Sequence, residues 1–308
     1  MMSRYTKLIF ALAMLCAPLA HAQDVERAYT FAYNGDICHV DEGVRIDLKR
    51  NVHDVPSARV LQSFMPRPEN CDPQQRGQQG EIDARWADME RILANRNRLA
   101  EKLNKPEIFP LVEQANLLCH SAAGYHCLHH LAQIDPEHIQ IDWLVATAPV
   151  FSPYTHRKHF GAFGGSDPSL VRESDPFRNT ETMEKVRIHL SDEASKGMII
   201  VATTADQNVP PADYIDMVTW AGENQVPLRV VVFAPNKRLN SLPRSYQQVA
   251  TKALENGFPF AVIPFTETPF ETVRHNDLPT LGGRILQELR AGEADVPEPI
   301  TSFLGETS

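Results

Sequence analysis

The stretch MIIVATTA (198–205) decides the fold class, together with two later stretches of the same kind, LRVVVFA (228–234) and FPFAVIPF (258–265). Each is a short run of apolar residues rich in β-branched or aromatic side chains, and helical patterns separate the three. Strands of this kind that alternate with helices are typical of a mainly parallel sheet with helices on both faces. The sequence therefore predicts an α/β fold with thioredoxin-like or Rossmann-like topology.

This α/β domain is predicted over residues 136–292, and three further segments surround it. Residues 23–80 predict a small β-rich segment that cysteines pin together, with short strands at about 28–33, 44–48 and 59–64. Residues 81–135 predict a helical hairpin, whose second helix runs over about 111–132. Residues 293–308 are polar and contain proline, which favours a flexible tail.

The N-terminal residues 1–22 have the pattern of a cleavable secretory signal peptide. Arg4 and Lys7 give a positive start, an apolar run follows, and Ala20 and Ala22 are the small residues that a signal peptidase reads. Cleavage near Ala22 would release the rest of the chain into a bacterial periplasm. The apolar run is shorter than the roughly 20 residues that a bilayer needs, so we expect no stable membrane span after cleavage.

Charge and motifs limit the classes of partner. After cleavage the chain would carry 28 basic and 39 acidic side chains, a net charge of −11. A nucleic-acid partner requires a basic face, so this balance argues against nucleic acid. The sequence has neither a G-x-G-x-x-G nor a Walker pattern, and we predict no cofactor. Protein partners in the cell envelope are the expected class.

Four cysteines follow the predicted cleavage point: Cys38, Cys71, Cys119 and Cys127. An even number of cysteines in an oxidising compartment indicates two disulfides. Three connectivities are open, and the most local one joins Cys38 to Cys71 and Cys119 to Cys127. The chain contains no Cys-x-x-Cys, which argues against dithiol redox chemistry.

The segment CHSAAGYHCLHH (119–130) is the densest group of metal-ligand residue types in the chain. Zinc and copper accept such ligands, and His126, His129 and His130 are the candidate metal-binding residues. The spacing matches no standard zinc motif. A disulfide between the two cysteines, with the histidines packed or exposed around it, is the favoured interpretation.

A long connecting segment at 151–179 follows the end of a predicted strand, where open α/β sheets place their sites. It begins FSPYTHRKHFGAFGGSDPS, and long loops in compact domains are often functional. His156 and His159 are therefore candidate general bases or anion ligands, in a hydrolase that would use residues 156–167. The alternative is a surface loop or an arm that docks a partner.

Thr203, Thr204 and Asp206 lie at the end of the central predicted strand, which is a plausible site position. Asp206 is the third candidate catalytic residue, although a single aspartate there is more often a helix cap. A nucleophile is harder to find, because Ser166 lies in Gly-Gly-Ser-Asp and no G-x-S-x-G occurs.

The order of features over 198–283 resembles thioredoxin-like domains, and most of all the TrbC family, which helps to assemble pili in F-type conjugation systems. The matching pieces are MIIVATTADQNVP, a helix through Trp220, PLRVVVFAP, AVIPFTETPF and DLPTLGG. The resemblance implies a thioredoxin-like domain without redox cysteines, with Pro279 at the cis-proline position. It also implies two antiparallel strands after Pro279, but LGGRILQELRAG has a helical pattern.

Three hypotheses about function result. The first is an exported periplasmic assembly or interaction protein without redox cysteine chemistry, for which a conjugation or secretion system is the candidate machine. This hypothesis favours a non-enzymatic role. The second is a periplasmic hydrolase that uses the 156–167 loop. The third is a metal-binding protein that uses the 119–130 cluster.

Overall fold

A computed structural model describes residues 29–33, 60–63, 74, 77–104, 111–160, 167–191 and 195–291. Within these residues seven strands form one sheet: β1 (Tyr29–Tyr33), β2 (Val60–Ser63), β3 (Gln114–His120), β4 (Gln140–Thr147), β5 (Gly197–Thr203), β6 (Leu228–Ala234) and β7 (Phe260–Pro264). Every neighbouring pair is parallel, in the order β2-β1-β3-β4-β5-β6-β7. The predicted α/β fold is confirmed, with a sheet that is entirely parallel over the described strands.

Helices connect these strands and cover the sheet. They are α1 (Gln79–Leu103), α2 (Ala123–Leu131), α3 (Pro153–Phe160), α4 (Pro168–Glu173), α5 (Thr180–Ser191), α6 (Ala212–Glu223), α7 (Arg244–Glu255) and α8 (Leu278–Ala291). Helices α2, α5, α6 and α7 lie on crossovers between consecutive strands from β3 to β7. Helix α8 follows β7 and packs back across β3, β4 and β5.

The central strands supply the core. Every residue of β5 is buried, and so are Val230, Val231, Val232 and Phe233 of β6. A strand that is covered on both faces needs apolar side chains in both directions, which explains the continuous apolar runs. No helix among the described residues is both long enough and apolar enough to cross a bilayer.

The predicted second helix of the hairpin, over about 111–132, is wrong in its first half. Residues 114–120 form strand β3 in the interior of the sheet, between β1 and β4, and only 123–131 form a helix. Because all of β3 after Gln114 is buried, its apolar run has no polar face that would distinguish a strand from a helix. The structure therefore has a strand–turn–helix unit where the sequence predicted one interrupted helix.

The early β segment is part of the main sheet and does not form a separate unit. Strands β1 and β2 match two of the predicted short strands, and both join the main sheet beside β3. The third predicted strand, around 44–48, lies outside the described residues. After Pro279 the chain continues as helix α8, in agreement with the helical pattern. The tail 293–308 lies outside the described residues.

Candidate functional site

Three segments meet at the carboxyl edge of the sheet, because all strands run parallel and end on the same side. Strand β3 ends one residue before Ser121, strand β5 ends three residues before Asp206, and β7 leads into the segment that contains His275. The order of the strands reverses between β1 and β3, and open α/β sheets bind ligands in the crevice at this reversal. The end of β3 therefore lies at the expected place for a site.

The turn after β3 holds Ser121 in an unusual backbone conformation. Its φ of +55° lies in the left-handed region, which residues other than glycine rarely adopt. Only Ser121 and Ala122 separate strand β3 from helix α2, so the chain reverses direction sharply at this point. The serine is half-buried and thus open to solvent on one side. A serine held at a strained strand-to-helix turn has the geometry of a nucleophile elbow.

The turn is fixed by backbone hydrogen bonds to the end of strand β4. The Ser121 N–H donates to the Thr147 carbonyl at 3.0 Å, and the Ser121 carbonyl accepts from the Val150 and Gly124 N–H groups at 2.9 and 3.0 Å. Gly124 is required here, since a Cβ at this position would lie 2.7 Å from the Val150 carbonyl oxygen. These contacts hold the start of α2 against the exit of β4 and supply part of the constraint that a strained turn requires.

An imidazole and a carboxylate form a second part of the same edge. The Nδ1 atom of His275 lies 2.8 Å from Oδ2 of Asp206, whose side chain is fully buried, while the His275 side chain is 12% exposed. The other oxygen, Oδ1, accepts the N–H groups of Asn208 and Val209 at 2.7 and 3.2 Å. Asp206 therefore caps the turn after β5 and orients the His275 ring at the same time.

The segment that carries His275 is anchored on both sides. The hydroxyl of Thr203 donates to the Val273 carbonyl at 2.7 Å, and the Arg274 N–H donates to Oδ2 of Asp277 at 2.8 Å, just before helix α8 begins. The hydroxyl of Tyr246 in turn donates to the Thr203 carbonyl at 2.5 Å. Thr203 thus serves as the attachment point of the histidine segment.

His120 connects the serine turn to the His–Asp pair. Its ring centroid lies 4.6 Å from that of His275, and its Nδ1 lies 3.1 Å from the Thr147 carbonyl oxygen. A carbonyl only accepts, so we assign the proton of the neutral ring to Nδ1. Burial, and then the charge of nearby His275, lower the pKa of His120 well below its ordinary value. The residue next to Ser121 in the chain therefore places a neutral ring beside that of His275.

The predicted candidate His156 lies in helix α3 and has a different partner. Its Nδ1 is 2.5 Å from Oδ2 of Asp213, and the two side chains are 6% and 0% exposed. The nearest serine in the chain, Ser152, donates its hydroxyl to Asp175. This second His–Asp pair joins α3 to the start of α6 and is closed to solvent. The structure therefore does not bring His156 together with Asp206.

The rest of the predicted 151–179 loop is partly helical. His159 belongs to helix α3, and residues 161–166, which include Ser166, lie outside the described residues. Helix α4 follows, with Asp167 capping it through a hydrogen bond from the Ser169 N–H at 2.8 Å. Two short helices thus follow β4 at the carboxyl edge.

The Cys/His cluster is divided between several environments. Cys119 and Cys127 form a disulfide, whereas Cys38 and Cys71 lie outside the described residues. The three histidines point to separate partners: His126 Nε2 lies 3.5 Å from Oε1 of Glu81, His129 Nε2 lies 2.8 Å from the Ser174 carbonyl, and His130 Nε2 lies 3.3 Å from the Ile82 carbonyl. Among the residues that the structure describes, no three His, Cys, Asp or Glu side chains are placed to hold a metal ion.

Sequence reasoning found Asp206 but missed Ser121 and His275. The turn reads Cys-His-Ser-Ala-Ala, with small residues two before and two after the serine, in place of the glycines of G-x-S-x-G. The predicted helix over 111–132 concealed the change from strand to helix on which that motif depends. His275 begins a short 3₁₀ helix (His275–Asp277) in a segment without a motif, so only its contact with Asp206 identifies it.

No family model matches the chain, and no curated protein matches it. Among solved structures, it is similar to a serine hydrolase from the polyaromatic-hydrocarbon-degrading bacterium Cycloclasticus zankles. The match has 13% sequence identity and a TM-score of 0.35, and it covers 76% of this chain and 90% of that one. A similarity this low carries no conclusion about activity, which depends on the geometry of the site.

Proposed function

We propose that the protein is a serine hydrolase that cleaves acyl esters, with Ser121 as the nucleophile, His275 as the general base and Asp206 as the residue that orients it. The observation that carries the proposal is the left-handed φ of Ser121 at a strand-to-helix turn, where the preceding residue, His120, lies against the His275 ring of an oriented His–Asp pair. The chain order Ser, Asp, His is the one that nucleophile-elbow hydrolases use.

The reaction uses each group in turn. Because Asp206 binds Nδ1 of His275, the ring nitrogen available to the serine is Nε2. Nε2 takes the proton of the Ser121 hydroxyl as Oγ attacks the substrate carbonyl carbon, and it returns the proton to the leaving alcohol. The resulting acyl-serine is then hydrolysed by water that the same histidine activates. The N–H of Ala122, at the start of α2, is the first donor for the developing oxyanion.

Burial favours this triad over the predicted hydrolase site at 156–167. His156 and Asp213 are closed to solvent, so a substrate carbonyl would have no access to the ring. Ser121 is half-buried and His275 is partly exposed, which suits groups that must meet a substrate. The hydrolase hypothesis therefore keeps Asp206 but takes its base from a different segment.

A serine-directed probe tests the proposal. Purified protein is incubated with a fluorophosphonate, which forms a covalent bond only with an activated serine, and hydrolysis of p-nitrophenyl acetate is measured in parallel. We expect labelling and turnover in the wild type and loss of both in Ser121→Ala. Ser152→Ala is the matched control, since Ser152 is buried and donates to Asp175, and it should keep both signals. Labelling that survives in Ser121→Ala would refute the assignment.

Export to the periplasm and a role in pilus or secretion-system assembly stay predictions. The hydrolase proposal does not depend on either of them. Cell fractionation would test the first, and N-terminal sequencing of the recovered protein would show whether the mature chain begins near Gln23.

A further inference from the structure

The disulfide between Cys119 and Cys127 encloses the serine turn. Cys119 is the last residue but one of strand β3, Cys127 lies in helix α2, and Ser121 lies between them in the chain. The two Cα atoms are 6.5 Å apart, and both residues are completely buried. One covalent bond therefore ties together the strand and the helix whose mutual placement defines the turn.

The turn needs such a constraint because Ser121 is strained. A left-handed φ at a residue other than glycine persists only where the surroundings impose it. The hydrogen bonds to Thr147 and Val150 attach the turn to strand β4. The disulfide is different, since it acts within the strand–turn–helix unit itself and limits how far α2 can move from β3. Loss of the bond would remove this limit and leave only the hydrogen bonds to hold the left-handed φ of Ser121.

We infer that the Cys119–Cys127 disulfide is a positioning element of the catalytic centre, and that the reactivity of Ser121 depends on the oxidation state of these two cysteines. The inference rests on the proposed serine hydrolase function. It adds a redox condition to that function: the oxidised protein hydrolyses its substrate, and the protein with two thiols folds but reacts slowly at the serine.

The redox chemistry of the disulfide also predicts the compartment in which the protein is active. Reduction of the bond by a dithiol transfers two electrons and two protons, which leaves thiols at Cys119 and Cys127 and a disulfide in the reductant. Compartments that form disulfides keep the bond, whereas a reducing cytosol would not supply it. The hydrolase is thus expected to become active only where disulfides form, which is the environment that the predicted signal peptide would provide.

The experiment compares two variants that lose stability in different places. The double variant Cys119→Ala/Cys127→Ala removes the bond, and Val249→Ala removes two methyl groups from a fully buried position in helix α7, outside the serine turn. Both are assayed well below their melting temperatures for the rate of fluorophosphonate labelling and for kcat and KM with p-nitrophenyl acetate. We expect the double variant to lose at least tenfold in labelling rate and kcat with KM within about twofold of the wild type. Val249→Ala should match the wild type in all three.

A second measurement covers the case in which the double variant does not fold. Wild-type protein is reduced with dithiothreitol in a concentration of urea below its unfolding transition, then assayed after removal of the urea, and finally reoxidised with oxidised glutathione. Labelling should fall at least tenfold on reduction and return on reoxidation, with an unchanged circular-dichroism spectrum throughout. A packing defect would not be reversed in this way.

The possible results distinguish this inference from the serine hydrolase proposal on which it rests. If the wild type is labelled at Ser121 and the disulfide-free forms are labelled at the same rate, the bond only stabilises the fold and the inference is overturned while the hydrolase proposal stands. If the oxidised wild type is not labelled at all, the hydrolase proposal fails first and the inference falls with it.

Discussion

Replacing Asp206 by asparagine should abolish most of the activity while leaving the fold intact, and the structure shows why. Oδ1 of Asp206 accepts two backbone N–H groups, and Oδ2 accepts the proton on Nδ1 of His275. An asparagine can keep the two backbone bonds only if its carbonyl oxygen occupies the Oδ1 position. Its amide NH2 group then faces Nδ1, where it can only donate.

This reversal changes the tautomer of His275. If Nδ1 must accept, the proton of the neutral ring moves to Nε2, which can then no longer take the proton of Ser121. The opposite amide orientation would restore the correct tautomer, but it would leave two backbone N–H groups without an acceptor, at about 1–3 kcal/mol each. The wrong tautomer therefore dominates. The same change in a serine protease lowers kcat by about 10⁴, and we expect a loss of roughly 10³–10⁴ here, which is about 4–5.5 kcal/mol.

The assay is kcat for p-nitrophenyl acetate and the rate of fluorophosphonate labelling, each measured for Asp206→Asn and for Asp213→Asn. The second variant is a matched control, because Asp213 is also a buried carboxylate on Nδ1 of a histidine, His156. We expect Asp213→Asn to change kcat by less than about tenfold, which is below the roughly 10²-fold at the low end of a general-base contribution. If it loses activity as strongly as Asp206→Asn at equal folded fraction, or if Asp206→Asn stays active, the assignment of His275 as the base is wrong.

Three further predictions concern stability. Removing the disulfide with Cys119→Ala/Cys127→Ala should lower the free energy of unfolding by about 2.5 kcal/mol, from closing a loop with a sequence separation of 8, and Tm by about 5–10 °C in calorimetry; a shift below 2 °C would contradict the loop-entropy argument. Gly282→Ala should destabilise by about 1–3 kcal/mol in urea unfolding, because the new Cβ would lie 2.5 Å from Cγ2 of Thr147, and an unchanged urea midpoint would show that α8 can move away. Stability should also fall below about pH 6.5, because burial lowers the pKa of His120, His126 and His130, so the unfolded chain binds protons that the folded chain does not. The free energy of unfolding should fall by up to about 4 kcal/mol per pH unit. A pH-independent urea midpoint between pH 6.5 and 5 would refute this prediction.

Glu81, which lies beside His126, is a second source of the acid sensitivity of the fold. The carboxylate of Glu81 accepts from the Gly77 N–H at 2.7 Å and from the Tyr125 hydroxyl at 3.0 Å, and it lies beside His126. Burial would raise the pKa of Glu81, but His126, the Gly77 N–H and Arg85 outweigh burial and lower it to about 2. A lowered folded-state pKa stabilises the protein above the unfolded value of about 4.5 and loses that contribution as the pH falls towards 2. Below pH 4.5 this loss adds to that of the histidines.

Much of the sheet was open to prediction from local pattern. Strands β4 to β7 are apolar runs of the right length, and helices with clear polar faces separate most of them. The failure at 114–120 has a physical origin. Strand β3 is an interior strand that is buried on both faces, and α2 is buried on every side, so neither shows the one-sided pattern that identifies an amphipathic element. The thioredoxin-like resemblance rested on the second half of the sheet, where parallel strand–helix units look alike in many folds.

Local sequence pattern is sufficient to reveal the α/β class, a pair of cysteines eight residues apart, and Asp206 as a polar residue at a strand end. These are properties of short segments, and side-chain pattern and spacing are enough to reveal them. The histidine that meets Asp206, and the left-handed φ of Ser121 at the same edge, depend instead on how distant segments pack together. The reason is that parallel strands bring their carboxyl ends together across the fold, so the site is assembled from segments whose separation along the chain says nothing about their distance in space.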